Sequence, residues 1–454
     1  MSKLWGGRFT KDLNAEVLAF TSSLEVDQRL WPFDIQGSQA HARMLGHCGI
    51  LSQEEVDQLI KGLDLVFEEI SSENFVFDSR AEDIHSEIER LLKLKVGEVA
   101  GKLHTARSRN DQVLLSTKLY LRSSIDKWRE ELLALQSLLK KQATENLGTL
   151  MPGLTHTQHA QPVSLAQHLM AYYWMLDRDI SRLADFRKNL NKCPLGVAAL
   201  AGTSFPIDRQ MVAKELNFEG VTENSLDTVG DRDFILELLS IASISMSHFS
   251  RLAEELILWS TPEFGFLTLD DSVTTGSSIM PNKKNPDVAE LIRGRTGIVY
   301  GNLMAALTMM KAMPLSYNRD FQEDKPSVFN SLDILRATTR MTSLMLESAV
   351  FHRERMEKSL SGDTSNATDL ADYLVRKGMS FRQAHEVVGQ IVSWSIQSGV
   401  ALESMDLESL RRYSELFAED VLSIIGHRAV MEARRSEGGT STDAVSQQML
   451  LEKS

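Results

Sequence analysis

Apolar residues recur along this chain at alternating steps of three and four. Between Asn110 and Leu147, the residues Leu114, Leu121, Ile125, Trp128, Leu132, Leu135 and Leu139 keep that spacing, with one gap near Lys118. A second run steps through Ile235, Leu238, Ala242, Ser245, Phe249, Leu252, Leu256 and Trp259. One face of a helix returns every 3.6 residues, so each run predicts a heptad-like stripe on a helix of roughly 30–38 residues, about 45–57 Å long. Helix breakers are missing where the stripes run. Residues 163–193, 231–260 and 302–313 contain neither glycine nor proline, and none follows Pro326 until Gly362. Four or five long helices are therefore expected, over 110–147, 163–193, 231–260, 287–313 and 326–361.

The flanks read differently. Residues 1–109 carry shorter segments and a polar interruption, SSENFVFDSRAED. Residues 362–454 look like a small helical domain, in which Ser380 and Gln383 are spaced as a capping box just after Gly378. The expected class is all-α in three parts: an N-terminal helical domain (1–109), a central long-helix bundle (110–361) and a C-terminal helical domain (362–454). Stripes this long exceed what one bundle needs to bury, which favours a homo-oligomer over packing within one chain.

Composition narrows the function. A formal net charge of −13 argues against a nucleic-acid backbone as main partner. No segment approaches ~20 uninterrupted apolar residues, so no membrane span is read. The start, MSKLWGGRFTKD, has no apolar core or cleavage site of a secretory signal. Cys48 and Cys193 stand far apart without CxxC spacing, so a reducing cytoplasm is the simplest setting.

Candidate chemistry lies in polar loops between the helices. In TTGSSIMPNKKNPD (274–287), Asn285 can cap the next helix, Pro286 suits its first turn, and Asp287 and Glu290 favour its positive end. Lys283 and Lys284 concentrate positive charge at an end that already attracts anions, and Gly276, Ser277 and Ser278 loosen the backbone before it. In GKLHTARSRNDQ (101–112), Arg107 and Arg109 alternate, so an extended segment points both the same way to grip carboxylates. The bland alternative is a solvated basic loop. VGEVAGKL (96–103) is too short for a phosphate loop and places Leu103 where Ser or Thr is needed. In PGLTHTQHAQP (152–162), a loop held by two prolines presents His156 and His159. The pair lacks a third ligand for a metal and leaves proton transfer open. EDIHSEIER (82–90) and SYNRDFQEDK (316–325) read by themselves as solvated stretches. GxSxG, GxGxxG, HExxH and EF-hand patterns are absent.

Together, GSSIMPNKKNP resembles the signature loop of the fumarase/aspartase superfamily, matching each fixed position of GSSxMPxKxN. Within that superfamily the chain looks most like the argininosuccinate lyase family, through LWGGRF, AEDIHSEIE, KLHTARSRNDQV, MPGLTHTQHAQPV, LAGTSFPIDR, NSLDTVGDRDF and YNRDFQEDK in that order. The resemblance covers essentially the whole chain. It implies a tetramer with a 20-helix core, active sites assembled from three subunits, and elimination of argininosuccinate to arginine and fumarate with neither metal nor organic cofactor. It makes Ser277 the catalytic serine, as general base or as proton donor, His156 the catalytic histidine and Glu290 its carboxylate partner, with Lys283 stabilising charge. It further implies substrate contacts at Ser23, Asn110, Thr155, Asn285, Tyr317, Gln322 and Lys325, with Arg109 nearby, and includes Asp83 in a family motif. Three positions depart from the family pattern: Ala106 and Ala198 stand where glycine is usual, and Gly230 where serine is. Ala106 matters if that turn needs a positive φ. Related eliminations on adenylosuccinate, aspartate or malate share the signature loop, but WGGRF and RSRNDQ favour argininosuccinate. A catalytically silent structural protein, like the lens crystallins of this family, is disfavoured by the joint presence of Ser277, His156, Lys283 and Glu290.

Overall fold

A computed structural model describes residues 14–451, so the LWGGRF motif lies outside the described residues. The fold is all-α in class. Its length is carried by the helices Arg109–Glu145, Leu165–Asn189, Asp233–Ser260, Asp287–Met310 and Asp324–Ser348. Among the described residues, strands occur only as four two-stranded pairs. Both predicted stripes are buried, from Leu114 at 2% exposure to Leu139 at 0%, and from Ile235 at 0% to Trp259 at 5%. Each such leucine contributes about 1.5–3 kcal/mol on leaving water. None of the described helices is long and apolar enough to cross a membrane.

Two expectations about helix ends need correction. The last long helix begins at Asp324, with Pro326 in its first turn, where a missing N–H has no helical partner to lose. It stops at Ser348 rather than running to 361, because Val350–Phe351 pairs antiparallel with Leu267–Thr268. An interval without glycine or proline permits a helix but does not compel one. In the C-terminal region, Ser380 Oγ accepts from Gln383 N at 3.5 Å, while the Gln383 side chain turns to that hydroxyl instead of the Ser380 amide. Half of the capping box is present.

The chain folds into two compact units. One comprises the described residues up to Arg129 with Ser181–Ile244 and Gly297–Leu335; the other comprises Glu130–Ile180, Ser245–Thr296 and the described chain from Arg336. Each takes a stretch of every long helix. The first has its core around Leu121, Trp128, Phe186, Ile235 and Phe329. The second packs Leu139, Leu169, Phe249 and Met345, and a satellite core in which Leu374, Ile391 and Leu410 surround the stacked rings of Tyr373 and Phe417. Cys48 and Cys193 are both free thiols.

The stretches 82–90 and 316–325, expected to be solvated, are half interior. His85 and Glu87 are fully buried, as are Phe321, Asp324 and Lys325. His85 pairs with Asp34 and Asp324 with Arg232, partners far away in sequence that no local pattern displays, whereas Glu87 pairs with Arg90 and Lys325 with Asp324 close by.

Candidate active site

The first unit collects one set of the expected residues. Ser23 sits at the start of the short helix Leu24–Asp27 and donates its hydroxyl to Asp27 Oδ2 at 2.5 Å, while Ile84 N donates to Asp27 Oδ1 at 3.1 Å. Burial pushes the Asp27 carboxyl up to about 6 despite these bonds. Asp83 caps the helix Ile84–Val96 through Ser86 and takes Arg109 Nε at 3.1 Å. Burial alone would raise its carboxyl, but the charges of Arg109 and His85 outweigh it and hold it low.

Arg109 is committed within the protein. Its Nη1 donates to Gln112 Oε1 at 2.6 Å and approaches Glu89 at 3.5 Å. Arg107 does not point with it. It is buried and donates to Ser38 Oγ at 2.9 Å. The two arginines are thus not a matched carboxylate grip, because the long helix starts at Arg109 and ends the extended run that alternation requires. Asn110 Nδ2 reaches Ala199 O at 3.1 Å, and Asp111 Oδ2 accepts the amides of Gly196 and Ala198 at 3.0 and 2.8 Å. Ala106 has φ 60° and Ala198 φ 53°. Both positions where the family pattern has glycine are therefore left-handed here, and both carry a Cβ.

Gln322 Nε2 donates to Thr21 O at 3.3 Å, beside Arg319, which donates to the same carbonyl at 2.8 Å. Lys325 Nζ donates to Asp324 Oδ1 at 3.0 Å, and Arg232 Nε to Asp324 Oδ2 at 2.5 Å, all three side chains buried. Tyr317 packs edge-on to Phe321, and burial raises its phenol. Its neighbour Ser316 has φ 70°, and a Cβ on Gly230 would stand 2.9 Å from Ser316 O. The motifs did not single out Asp27, Asp324 or Arg319. The Asp324–Arg232 pair spans 92 residues, so no sequence spacing could have shown it.

The second unit holds the rest. PGLTHTQHAQP is not a plain loop but an antiparallel hairpin, Leu150–Thr155 with Gln158–Ser164, in which Pro152 faces Pro162. Thr155 pairs with Gln158, and the two residues between them, His156 and Thr157, have φ 54° and 59°. That is the sign pattern of a type I′ turn made without glycine. The turn exposes the His156 imidazole at its tip. His159 points elsewhere, with Nδ1 2.7 Å from Asp363 Oδ2. Gly153 is required by contact: a Cβ there would meet Gln161 O at 2.7 Å.

The signature loop is a second hairpin, Thr275–Gly276 with Lys284–Asn285. Ser277 Oγ accepts from Met280 N at 3.1 Å and Ile279 N at 3.4 Å, donors that favour an oxyanion at that atom. Thr275 donates its hydroxyl to Asp287 at the helix start. Asn285 does not cap that helix: its Nδ2 donates to Gly276 O at 3.4 Å, and Pro286 O takes the first helical amide, Glu290 N, at 3.1 Å. Lys284 pairs with Asp271 at 2.5 Å, whereas Lys283 is exposed and makes no ion pair among the described residues. Within this unit no hydrogen bond joins Ser277, His156 and Glu290, all described. No cluster of three or more His, Cys, Asp or Glu suited to a metal ion occurs among the described residues.

Comparisons with known proteins agree along the chain. The family described as lyase matches residues 7–301, and the argininosuccinate lyase C-terminal family matches 364–432. The argininosuccinate lyase of Heliobacterium mobile is 51% identical over 443 residues, covering 98% of this chain and 97% of that protein. The argininosuccinate lyase of Oceanobacillus iheyensis is 50% identical over 447 residues, with the same coverage. Among solved structures, EDDS lyase in complex with formate superposes with a TM-score of 0.84 at 30% identity, covering 93% of this chain and 85% of that one.

Proposed function

The chain belongs to the argininosuccinate lyase family, and from that premise we propose how its residues carry out the elimination of argininosuccinate to arginine and fumarate. The observation that carries the reaction is identity of about half the residues to argininosuccinate lyases over nearly the full length. The reaction removes a proton from the succinyl carbon beside a carboxylate, and the electron pair spreads into that carboxylate as a second negative charge. The C–N bond then breaks, its electrons pass to the guanidino nitrogen, and that nitrogen takes a proton.

Ser277 and His156 are the proton-transfer residues. The two amides on Ser277 Oγ support an alkoxide there, which an ordinary serine would not sustain. The unpaired Lys283, Asn285 and the start of helix Asp287–Met310 stabilise the doubly charged carboxylate. Glu290 steadies the imidazole. Ser23, Asn110, Thr155, Tyr317, Gln322 and Lys325 bind substrate. Arg109, its donors engaged by Asp83 and Gln112, serves by fixing Asp83 and the start of the first long helix.

The assembly is a cytoplasmic homotetramer, each site combining loops of three subunits, with the subunit in the three parts 1–109, 110–361 and 362–454; its reaction is the last step of arginine biosynthesis. Helix Asp287–Met310 supports the assembly. It leaves Leu291, Ile298, Met304 and Leu307 more than two-fifths exposed, beside Gly294, Gly297 and Gly301, which have open space around them. These exposed apolar side chains point to more than one side of the helix, and covering them requires partners.

The test is fumarate absorbance with argininosuccinate, adenylosuccinate, aspartate and malate, for wild type and Ser277→Ala, together with native mass. Turnover of argininosuccinate alone, lost in Ser277→Ala at tetramer mass, is expected. Failure on argininosuccinate overturns the substrate, and an undiminished Ser277→Ala overturns the mechanism.

A further inference from the structure

The turn that presents His156 is under strain. Two consecutive side-chain-bearing residues in the left-handed region cost about 1–3 kcal/mol each, and such conformations persist only where the surroundings over-determine them. Thr157 Oγ1 bonds only the neighbouring His156 O, and residues 155–159 are exposed, so packing does not hold the tip. What does hold it begins at His159, opposite Leu154 and one pair below the turn.

His159 Nδ1 lies 2.7 Å from Asp363 Oδ2, and His427 Nε2 lies 2.8 Å from Asp363 Oδ1. A carboxylate only accepts, so each ring nitrogen carries its proton there and both imidazoles donate. Ser365 adds its amide at 3.0 Å and its hydroxyl at 2.7 Å to Oδ1, which fixes the carboxylate plane. Partial burial alone would raise the Asp363 carboxyl; the bonds from His427, His159 and Ser365 outweigh it and hold it ionised. His427 is nearly buried at the start of helix His427–Glu432 and has Glu403 3.9 Å from its other nitrogen. The carboxylate therefore hangs from a rigid element on one side and grips the hairpin on the other.

We propose that Asp363, bridging His159 and His427, clamps the hairpin and sets the position of the His156 imidazole, making these three positioning residues for the elimination. The inference rests on the reading of His156 as a proton-transfer residue. A misplacement of about 1 Å at a reacting group costs on the order of a hundredfold in rate. Loss of the clamp thus acts on turnover more than on binding.

The experiment uses the full-length enzyme with Asp363→Ala and, as the milder change, the half-exposed His159→Gln. Both are followed by fumarate kinetics and by amide hydrogen exchange. The expected result is a kcat at least tenfold lower with KM within about threefold, and exchange at least tenfold faster over 150–164 while the long helices keep their protection. Wild-type exchange over 150–164 in both variants, or kcat within twofold of wild type, overturns the clamp. Exchange that accelerates everywhere alike also overturns it, because the role is then general stability. If the wild type itself forms no fumarate, the proposed reaction falls, and the exchange measurement still decides the clamp.

Discussion

Asp34→Asn is the sharpest probe of the buried charge beneath the Arg109 segment. Asp34 is 1% exposed; its Oδ1 accepts His85 Nδ1 at 2.7 Å, Gln112 Nε2 at 2.8 Å and Ser116 Oγ at 3.2 Å. Burial alone would raise this carboxyl and lower the His85 imidazole, but each outweighs that for the other, so Asp34 is held well below the usual range and His85 above it. The substitution keeps the shape and removes the charge, leaving a buried imidazole without its counter-ion. Breaking a buried pair in this way costs about 3–5 kcal/mol. For a unit of ~230 residues that corresponds to a Tm about 6–20 °C lower. The pH dependence carries a sign. A depressed carboxyl stabilises above its unfolded value near 4 and loses that as pH falls through its folded value. A raised imidazole stabilises fully below about 6.5 and loses that as pH rises through its folded value. The pair is therefore worth most between about pH 4 and 6.5, and the deficit of Asp34→Asn should be largest there and shrink toward alkaline pH. Urea melts across pH 4–9 measure this. A deficit below about 1 kcal/mol, or one independent of pH, would refute the reasoning.

Further outcomes can be checked independently. Ala106→Gly removes a left-handed Cβ costing about 1–2 kcal/mol and returns about 0.5–1 kcal/mol of chain entropy, so urea melts should show a gain of up to about 1 kcal/mol. Ala198→Gly should do the same, and a loss at both sites would count against the assignment of strain. Gly153→Ala forces Gln161 to move, or the hairpin to adjust where its register shifts between Gly153 and Leu154, and should cost about 1–3 kcal/mol in chemical denaturation. Asp27, lifted by burial to about 6, is a carboxylate above that pH and accepts the Ser23 hydroxyl. As pH falls through about 6 it protonates and releases Ser23, so KM for argininosuccinate should change near pH 6 in wild type and not in Asp27→Asn.

The stripes were readable because burial on a helix follows a 3.6-residue period, and Leu114 to Leu139 and Ile235 to Trp259 obeyed it. Where long-range pairing decides, the sequence misled. Val350 and Phe351 ended a helix by bonding a strand more than 80 residues earlier, and two prolines that read as loop residues face each other across a hairpin. The family motifs pointed to the loops that carry Ser277 and His156, because those loops are short and locally built. They could not show that Arg107 is buried on Ser38 or that Arg109 is held by Asp83, since those partners belong to other helices and their caps; only the Arg109–Gln112 bond, three residues along one helix, was within reach of local spacing. The Ala106 departure was legible only as a condition, and its φ of 60° is what the sequence lacked.

The composition of the two units constrains how this chain can be made. The first unit draws on the described residues up to Arg129, then Ser181–Ile244, then Gly297–Leu335. No single cut of the gene releases it intact. On the ribosome it stays incomplete until Leu335 emerges, which at 5–20 residues per second is about 10–40 s after Arg129. During that interval Leu114, Leu121 and Trp128 wait for the strips of helix that will cover them. Apolar surface left open for that interval invites aggregation, so slowing translation is expected to lower the folding yield before it touches the stability of the finished protein.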